Sequence, residues 1–198
     1  MPLTENEPDK HIFLKLWHSV FLFSVLLILL QFYFVELAFD REAIQDGEYW
    51  RLLTANLVHL NWVHLAMNLA GLCLLVYIFY PLFSSGSIFI YLFVLSILES
   101  LYLFYFSQGD HYLGLSSSLY GMYLIGAFLA LHAKKYLLGF SVIIIIFVKV
   151  IRDFLYPQQN ISELLLGAKV ATDAHLVAVI LAFVIGVALY FFKKAYPG

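Results

Sequence analysis

The stretch WHSVFLFSVLLILLQFYFVELA, residues 17–38, decides the class of this protein, because it is long and apolar enough to cross a lipid bilayer as a helix. Residues 1–16 before it are polar and acid-rich. No small-residue cleavage site follows the run, which is also too long for the core of a signal peptide. We therefore expect a retained membrane-spanning helix.

The composition of the whole chain agrees with a membrane protein in contact with lipids. Of its 198 residues, 63% are hydrophobic and only 12% are charged, and the mean hydropathy is +0.90. This apolar share is far above that of a soluble domain. The formal net charge of −2 gives no indication of nucleic-acid binding. The single cysteine, Cys73, is interpreted as a small core residue.

Five further apolar stretches follow the first, and the set predicts spans at residues 17–38, 58–80, 88–106, 112–132, 136–156 and 174–192. The sequence thus predicts an all-α membrane protein with a six-transmembrane-helix bundle. Its parts are a polar cytoplasmic N-terminus (1–16), one domain (17–193) and a short cytoplasmic tail (194–198). Six spans put both termini on one side, which is taken as cytoplasmic because three lysine pairs lie there: Lys10 and Lys15, Lys134 and Lys135, and Lys193 and Lys194.

Several polar side chains fall inside the predicted spans, where they are costly unless they pair with each other or do chemistry. With a rise of about 1.5 Å per residue, Ser116, His64 and His175 each lie within about 9 Å of the start of their span. All three spans are entered from the same side of the membrane. We infer that a hydroxyl and two imidazoles share one site near the outer surface.

A serine beside a histidine indicates nucleophilic acyl transfer. A serine hydroxyl is a poor nucleophile at neutral pH until an adjacent imidazole takes its proton. Ser116 would attack, and His175 would act as base and then as acid. His64 and Asn68 are four residues apart on one helix face and would donate to the oxyanion, together with the Ser116 backbone N–H. Tyr120 lies one turn beyond Ser116 and is expected to orient the imidazole.

The last predicted span carries features that fit a dyad rather than a triad. Asp173 is two residues before His175, so it points to a different helix face and is expected to cap the start of the span. Small residues continue the face of His175, which lets this helix approach a neighbour closely. They are Ala178, Ala182 and Gly186. If the neighbour is the fourth span, His175 lies beside Ser116.

Simpler interpretations exist for each residue. Serines and histidines in membrane helices often only bond to neighbouring helices. A metal site built from His59, His64 and His175 is disfavoured, because the first two are five apart and diverge around a helix, so we predict no metal and no cofactor. Glu99 is interpreted as a buried structural hydrogen-bond partner. Boundary aromatics are read as interfacial: Trp50, Trp62 and Tyr112.

The order of four short motifs resembles the rhomboid family of intramembrane serine proteases. They are WR at 50–51, HLNWVHLAMN at 59–68, GLSSSLYG at 114–121 and AH at 174–175. The resemblance implies a rhomboid-like bundle in which the fourth span is short and starts below the outer surface, so that water reaches the serine. Water is needed for hydrolysis, and the bilayer core has none.

The resemblance also implies roles for individual residues. It makes Ser116 the nucleophile and His175 the base, and it places His64 and Asn68 at the oxyanion. Tyr120 lies beside the imidazole, and Gly114 supports the serine from the position two residues before it.

Within the family, WRLLTANLVHLNWVHLAMNLAGL (50–72) and ELLLGAKVATDAHL (163–176) look most like the rhombosortase branch of compact bacterial enzymes. That likeness implies transmembrane protein substrates with a C-terminal Gly-Gly motif, a spanning helix and a basic tail. It also implies a place in the bacterial inner membrane.

The chain departs from the family motif Gly-x-Ser-Gly, because Ser117 follows the nucleophile where glycine is usual. Ala178 and Ala182 stand where glycines are common, and a Glu-Arg pair after the second span is missing. The alternative is therefore a rhomboid pseudoprotease that binds transmembrane helices without cleaving them. A channel or transporter is a third option, disfavoured because the chain has no internal repeat.

Overall fold

The computed structural model describes residues 7–80, 82–107, 111–156 and 172–195. In chain order its elements are α1 (Glu7–Leu30), a 3-10 turn (Gln31–Tyr33), α2 (Phe34–Leu37), β1 (Phe39–Asp40), α3 (Arg41–Gln45), α4 (Arg51–Thr54), a second 3-10 turn (Ala55–Leu57), α5 (Trp62–Phe79), α6 (Ser85–Phe106), β2 (His111–Tyr112), α7 (Ser116–His132), α8 (Tyr136–Leu155) and α9 (Thr172–Ala195). The predicted helical character is confirmed, since the two described strands have only two residues each.

Four segments of the described chain are long and apolar enough to cross a membrane: Lys10–Leu37, Trp62–Phe79, Gly86–Phe106 and Thr172–Phe192. The remaining long helices differ for identifiable reasons. Helix α7 has only 17 residues, and α8 carries Lys149, Arg152 and Asp153 in its last two turns. The count of six spanning helices therefore stays a prediction, as do the domain limits at 17 and 193.

Two predicted spans begin at the wrong residue, and a third helix extends beyond its predicted span. Helix α1 begins at Glu7, inside the segment read as a polar terminus, and α5 begins at Trp62 rather than at residue 58. The cause at α5 is Asn61, whose backbone is extended and whose side chain accepts a hydrogen bond from the His64 N–H. Helix α7 begins at Ser116, because the four residues before it form β2 and a turn.

Helix α7 lies at the centre of the bundle, packed against α5, α6, α8 and α9. Its buried residues cover its whole circumference rather than one stripe, as expected of a helix surrounded by protein. By contrast, α8 exposes large apolar side chains on one face, among them Leu137, Ile144 and Val148. Ser116, the first residue of this short central helix, is therefore held in place by the surrounding helices.

The predicted small-residue contact of the last helix is confirmed, and its partner is α7. A Cβ atom added to Gly121 would lie 3.2 Å from both the Ala178 carbonyl oxygen and the Ala182 Cβ. A Cβ added to Gly186 would lie 2.2 Å from Cδ2 of Phe128. The two helices therefore approach too closely for larger side chains at these positions.

The connection between α1 and α5 packs over the end of the bundle that carries Ser116. Strand β1 pairs antiparallel with β2, with Phe39 opposite Tyr112. Arg41 donates to the carbonyl oxygens that end α6: Leu103 at 2.8 Å, Ser107 at 3.0 Å, and Phe104. A cation at a helix C-terminus satisfies acceptors that lack partners inside the helix. This connection thus fixes the segment that leads into α7.

Candidate active site

The side chains of Ser116 and His175 meet between α7 and α9. Ser116 Oγ lies 2.9 Å from His175 Nε2, which is hydrogen-bonding distance for a nucleophile and its base. His175 is buried, with 4% of its surface exposed. Its other ring nitrogen, Nδ1, has no hydrogen-bond partner among the described residues. The described chain therefore holds a serine–histidine pair without a third carboxylate.

Asp173 faces away from the imidazole, as its position on the helix predicts. Its Oδ2 accepts a hydrogen bond from Ser107 Oγ at 2.7 Å, and its Oδ1 accepts from the Ala174 N–H at 3.0 Å. The carboxylate thus joins the start of α9 to the end of α6, and holds the helix that carries His175.

The ring of Tyr120 packs edge-on against the imidazole of His175, with the ring centroids 4.8 Å apart and the planes at 69°. Behind it, Lys149 Nζ lies 5.7 Å from the centre of the Tyr120 ring and forms an ion pair with Asp153. The spacing of Lys149 and Asp153, one helical turn, predicts their ion pair but not its place behind Tyr120.

Gly114 has a conformation that lets the His64 ring pack against the turn before Ser116. Its φ angle is +116°, which disfavours other residues, and a Cβ here would lie 2.6 Å from Cε1 of His64. The Gly114 N–H donates to the Ala55 carbonyl oxygen at 2.9 Å. The turn ends at Ser116, whose own N–H is one of the first-turn donors of α7 that have no acceptor within the helix.

His64 and Asn68 lie on one face of α5, and the structure brings only His64 to the turn before Ser116. Asn68 Nδ2 donates to the His64 carbonyl oxygen at 3.1 Å, so this amide is bonded to its own helix. His64 Nδ1 has no hydrogen-bond partner within the described residues. Their roles at an oxyanion stay predictions.

A model of the rhomboid domain family matches residues 46–192, a segment that contains the Ser116–His175 pair. The chain belongs to the rhomboid family. No curated protein matches the sequence. Members of this family are generally intramembrane serine proteases, and the rhomboid domain together with the apolar helices makes this a multi-pass membrane protein.

Ser117 is the residue that departs from the family motif. In this rhomboid protein it belongs to a buried polar network behind Ser116. Its Oγ is 2.5 Å from Glu99 Oε1 and is also hydrogen-bonded to the Tyr112 hydroxyl. Tyr112 OH in turn donates to the Gly114 carbonyl oxygen at 2.8 Å. The extra side chain is thus accommodated by hydrogen bonds to α6 and to the turn before the serine.

Two interpretations of this region are settled by the network. Glu99 is a buried hydrogen-bond partner, as predicted. The interfacial reading of Tyr112 is wrong, because only 7% of its surface is exposed. Burial raises the pKa of the Tyr112 hydroxyl well above its usual range, so that it acts as a neutral donor. It was misread because its helix was expected to begin at residue 112.

The predicted position of His59 on the same helix as His64 is wrong. This residue lies before α5, and its ring packs edge-on against that of His64 with centroids 5.1 Å apart, so the two do not diverge around one helix. Burial, and to a smaller extent His64, lower the pKa of the His59 imidazole to about 3. Among the described residues, no group of three side chains is arranged to hold a metal ion.

Proposed function

We propose that this rhomboid protein is an intramembrane serine endopeptidase of the rhombosortase type. The observation that carries the proposal is the 2.9 Å contact between Ser116 Oγ and His175 Nε2 at the start of a short, central helix. Residues 17–193 form the six-helix domain in this proposal, with residues 1–16 and 194–198 in the bacterial cytoplasm.

The proposed reaction follows from the pair. Ser116 Oγ attacks the carbonyl carbon of the scissile bond while its proton passes to His175 Nε2. The Ser116 N–H, His64 and Asn68 donate to the oxyanion. His175 then gives the proton to the leaving amine. Water, deprotonated by the same imidazole, attacks the acyl-enzyme, and His175 returns this proton to Ser116 Oγ as the acid product leaves. No cofactor is needed for these steps.

The proposed substrates are exported proteins with a C-terminal Gly-Gly motif, a spanning helix and a basic tail. Support comes from the likeness of residues 50–72 and 163–176 to the rhombosortase branch. A glycine pair also fits the chemistry, because glycine weakens a helix and lets the substrate enter the site extended. Cleavage beside it would release the exported part from the inner membrane.

The test combines a fluorophosphonate probe with a reporter that carries a Gly-Gly anchor. We expect the purified wild type to be labelled and the co-expressed reporter to be cut. Ser116→Ala and His175→Ala abolish both signals, while the control Ser24→Ala, which removes a serine from α1, keeps them. Labelling that persists in Ser116→Ala contradicts the mechanism. An unlabelled wild type that co-purifies with uncut reporter supports the pseudoprotease instead.

A further inference from the structure

A chain of buried hydroxyl and carboxyl groups runs from α6 to the turn before the nucleophile. It passes from Glu99 to Ser117, then to Tyr112, and ends at the Gly114 carbonyl oxygen. Glu99 and Ser117 have no exposed surface. Because neighbouring oxygens of the chain are in direct contact, the hydrogen of each contact must come from one of its two members.

Counting hydrogens gives one direction of the chain in which each of its three contacts has a hydrogen. The Gly114 carbonyl can only accept, so Tyr112 uses its one hydrogen there. The hydrogen between Ser117 and Tyr112 must then come from Ser117, because Tyr112 has none left. The remaining contact, between Glu99 Oε1 and Ser117 Oγ, has a hydrogen only if Glu99 carries one. If Glu99 were ionised, Ser117 and Tyr112 would supply only two hydrogens for the three contacts of the chain, and one pair of contacting oxygens would have no hydrogen between them.

The surroundings of Glu99 agree with an uncharged carboxyl. No described cation forms an ion pair with it, and an unpaired buried carboxylate is very costly. Its other oxygen, Oε2, is 3.5 Å from Ser118 Oγ, at the limit of hydrogen bonding, and Ser118 Oγ is 2.9 Å from Ser96 Oγ.

We propose that Glu99 is a protonated positioning residue, whose O–H donates to Ser117 and so directs the hydrogen-bond chain that holds the Gly114 carbonyl. Because Gly114 is in close contact with the His64 ring and lies two residues before Ser116, this chain sets where the nucleophile and His64 lie relative to each other. Ser117 then replaces the usual glycine as the link between Glu99 and the turn. The inference rests on the proposed function.

The experiment compares Glu99→Gln with Glu99→Leu and Ser117→Ala in the full-length protein. The glutamine amide still donates to Ser117, whereas the other two changes break the chain. We expect Glu99→Gln to react with a fluorophosphonate at a rate within about threefold of wild type, and the other two to react about 10- to 100-fold more slowly, because small displacements of a nucleophile have such effects. The thermal unfolding temperature is measured for each variant.

Ser100→Ala is the matched control, because it removes a buried hydroxyl of α6 that bonds to Asn56 at 3.0 Å and not to the chain. It should lower the unfolding temperature without slowing labelling. If Glu99→Gln is as slow as Glu99→Leu, or if Glu99→Leu reacts like wild type, the proposal is wrong.

An infrared spectrum separates this proposal from the proposed function. Wild type at neutral pH should show the carbonyl stretch of a protonated carboxylic acid that Glu99→Gln lacks, whether or not the protein cleaves anything. If the wild-type spectrum lacks that band, Glu99 is ionised and the proposal fails. An unreactive Ser116 in a wild type that shows the band overturns only the proposed function.

Discussion

The position and the protonation state of the buried His59 imidazole are determined by its neighbours. Its backbone is held by Gln31, whose side chain accepts from the His59 N–H at 2.9 Å and donates to the His59 carbonyl oxygen at 2.6 Å. Its ring lies against His64, and neither ring nitrogen has a hydrogen-bond partner among the described residues. The side chain is therefore held in a place where only the neutral imidazole is stable.

The lowered pKa of His59 predicts a loss of stability in acid. Between the unfolded value of about 6.5 and the folded value of about 3, the unfolded chain binds the proton and the folded chain does not, so the free energy of unfolding falls as the pH falls. From pH 7 to pH 5 this residue alone accounts for about 2 kcal/mol. Denaturant titrations in micelles at the two pH values measure it.

Replacing His59 should remove this contribution. His59→Phe is expected to lose less unfolding free energy on acidification than wild type, because phenylalanine cannot take up a proton. His18→Phe is the control, since His18 is an exposed histidine on α1. An equal pH dependence for wild type and His59→Phe would contradict the prediction.

At the scale of elements, the contact between α7 and α9 brings Ser116 to His175. Gly121→Val should force these helices apart, because even its Cβ would lie 3.2 Å from a backbone oxygen of α9 and 2.7 Å from Cδ1 of Leu95. Overpacking of this kind costs about 1–3 kcal/mol. We expect a lower unfolding temperature and slower fluorophosphonate labelling.

The matched change is Gly86→Val in the first turn of α6, where an added Cβ meets no atom within 4 Å. It should leave the unfolding temperature and the labelling rate near wild type. If both valine variants behave alike, the close approach of α7 and α9 does not control the site.

The elements also show which features can be predicted from a sequence. Tyr120 and the small residues of α9 were placed correctly, because helical spacing alone puts them on the faces of Ser116 and His175. The hydrogen-bond partners of Glu99 were not predicted, because they depend on how α6 is shifted along α7. The starts of α5 and α7 were missed, because apolar runs continue through the residues that precede these helices.

At the scale of the molecule, the pairing of β1 with β2 puts the first connection at the same end as Ser116, while the turn between α7 and α8 lies at the other end of α7. The lysine distribution predicts that the Ser116 end faces outward. In a Cys73→Ala background, an impermeant maleimide should label Gln45→Cys in intact spheroplasts, and Lys135→Cys only after lysis. Both positions are exposed, and the reverse pattern would show the opposite orientation.

The separation of Ser116 and His175 along the chain has a consequence for biosynthesis. The two residues are 59 positions apart, and α8 lies between their helices. A ribosome makes the chain from its N-terminus, so the hydroxyl enters the membrane well before the imidazole exists. The proposed Ser116–His175 pair thus cannot form until α9 is inserted beside α7, and a chain truncated before that point lacks the proposed base.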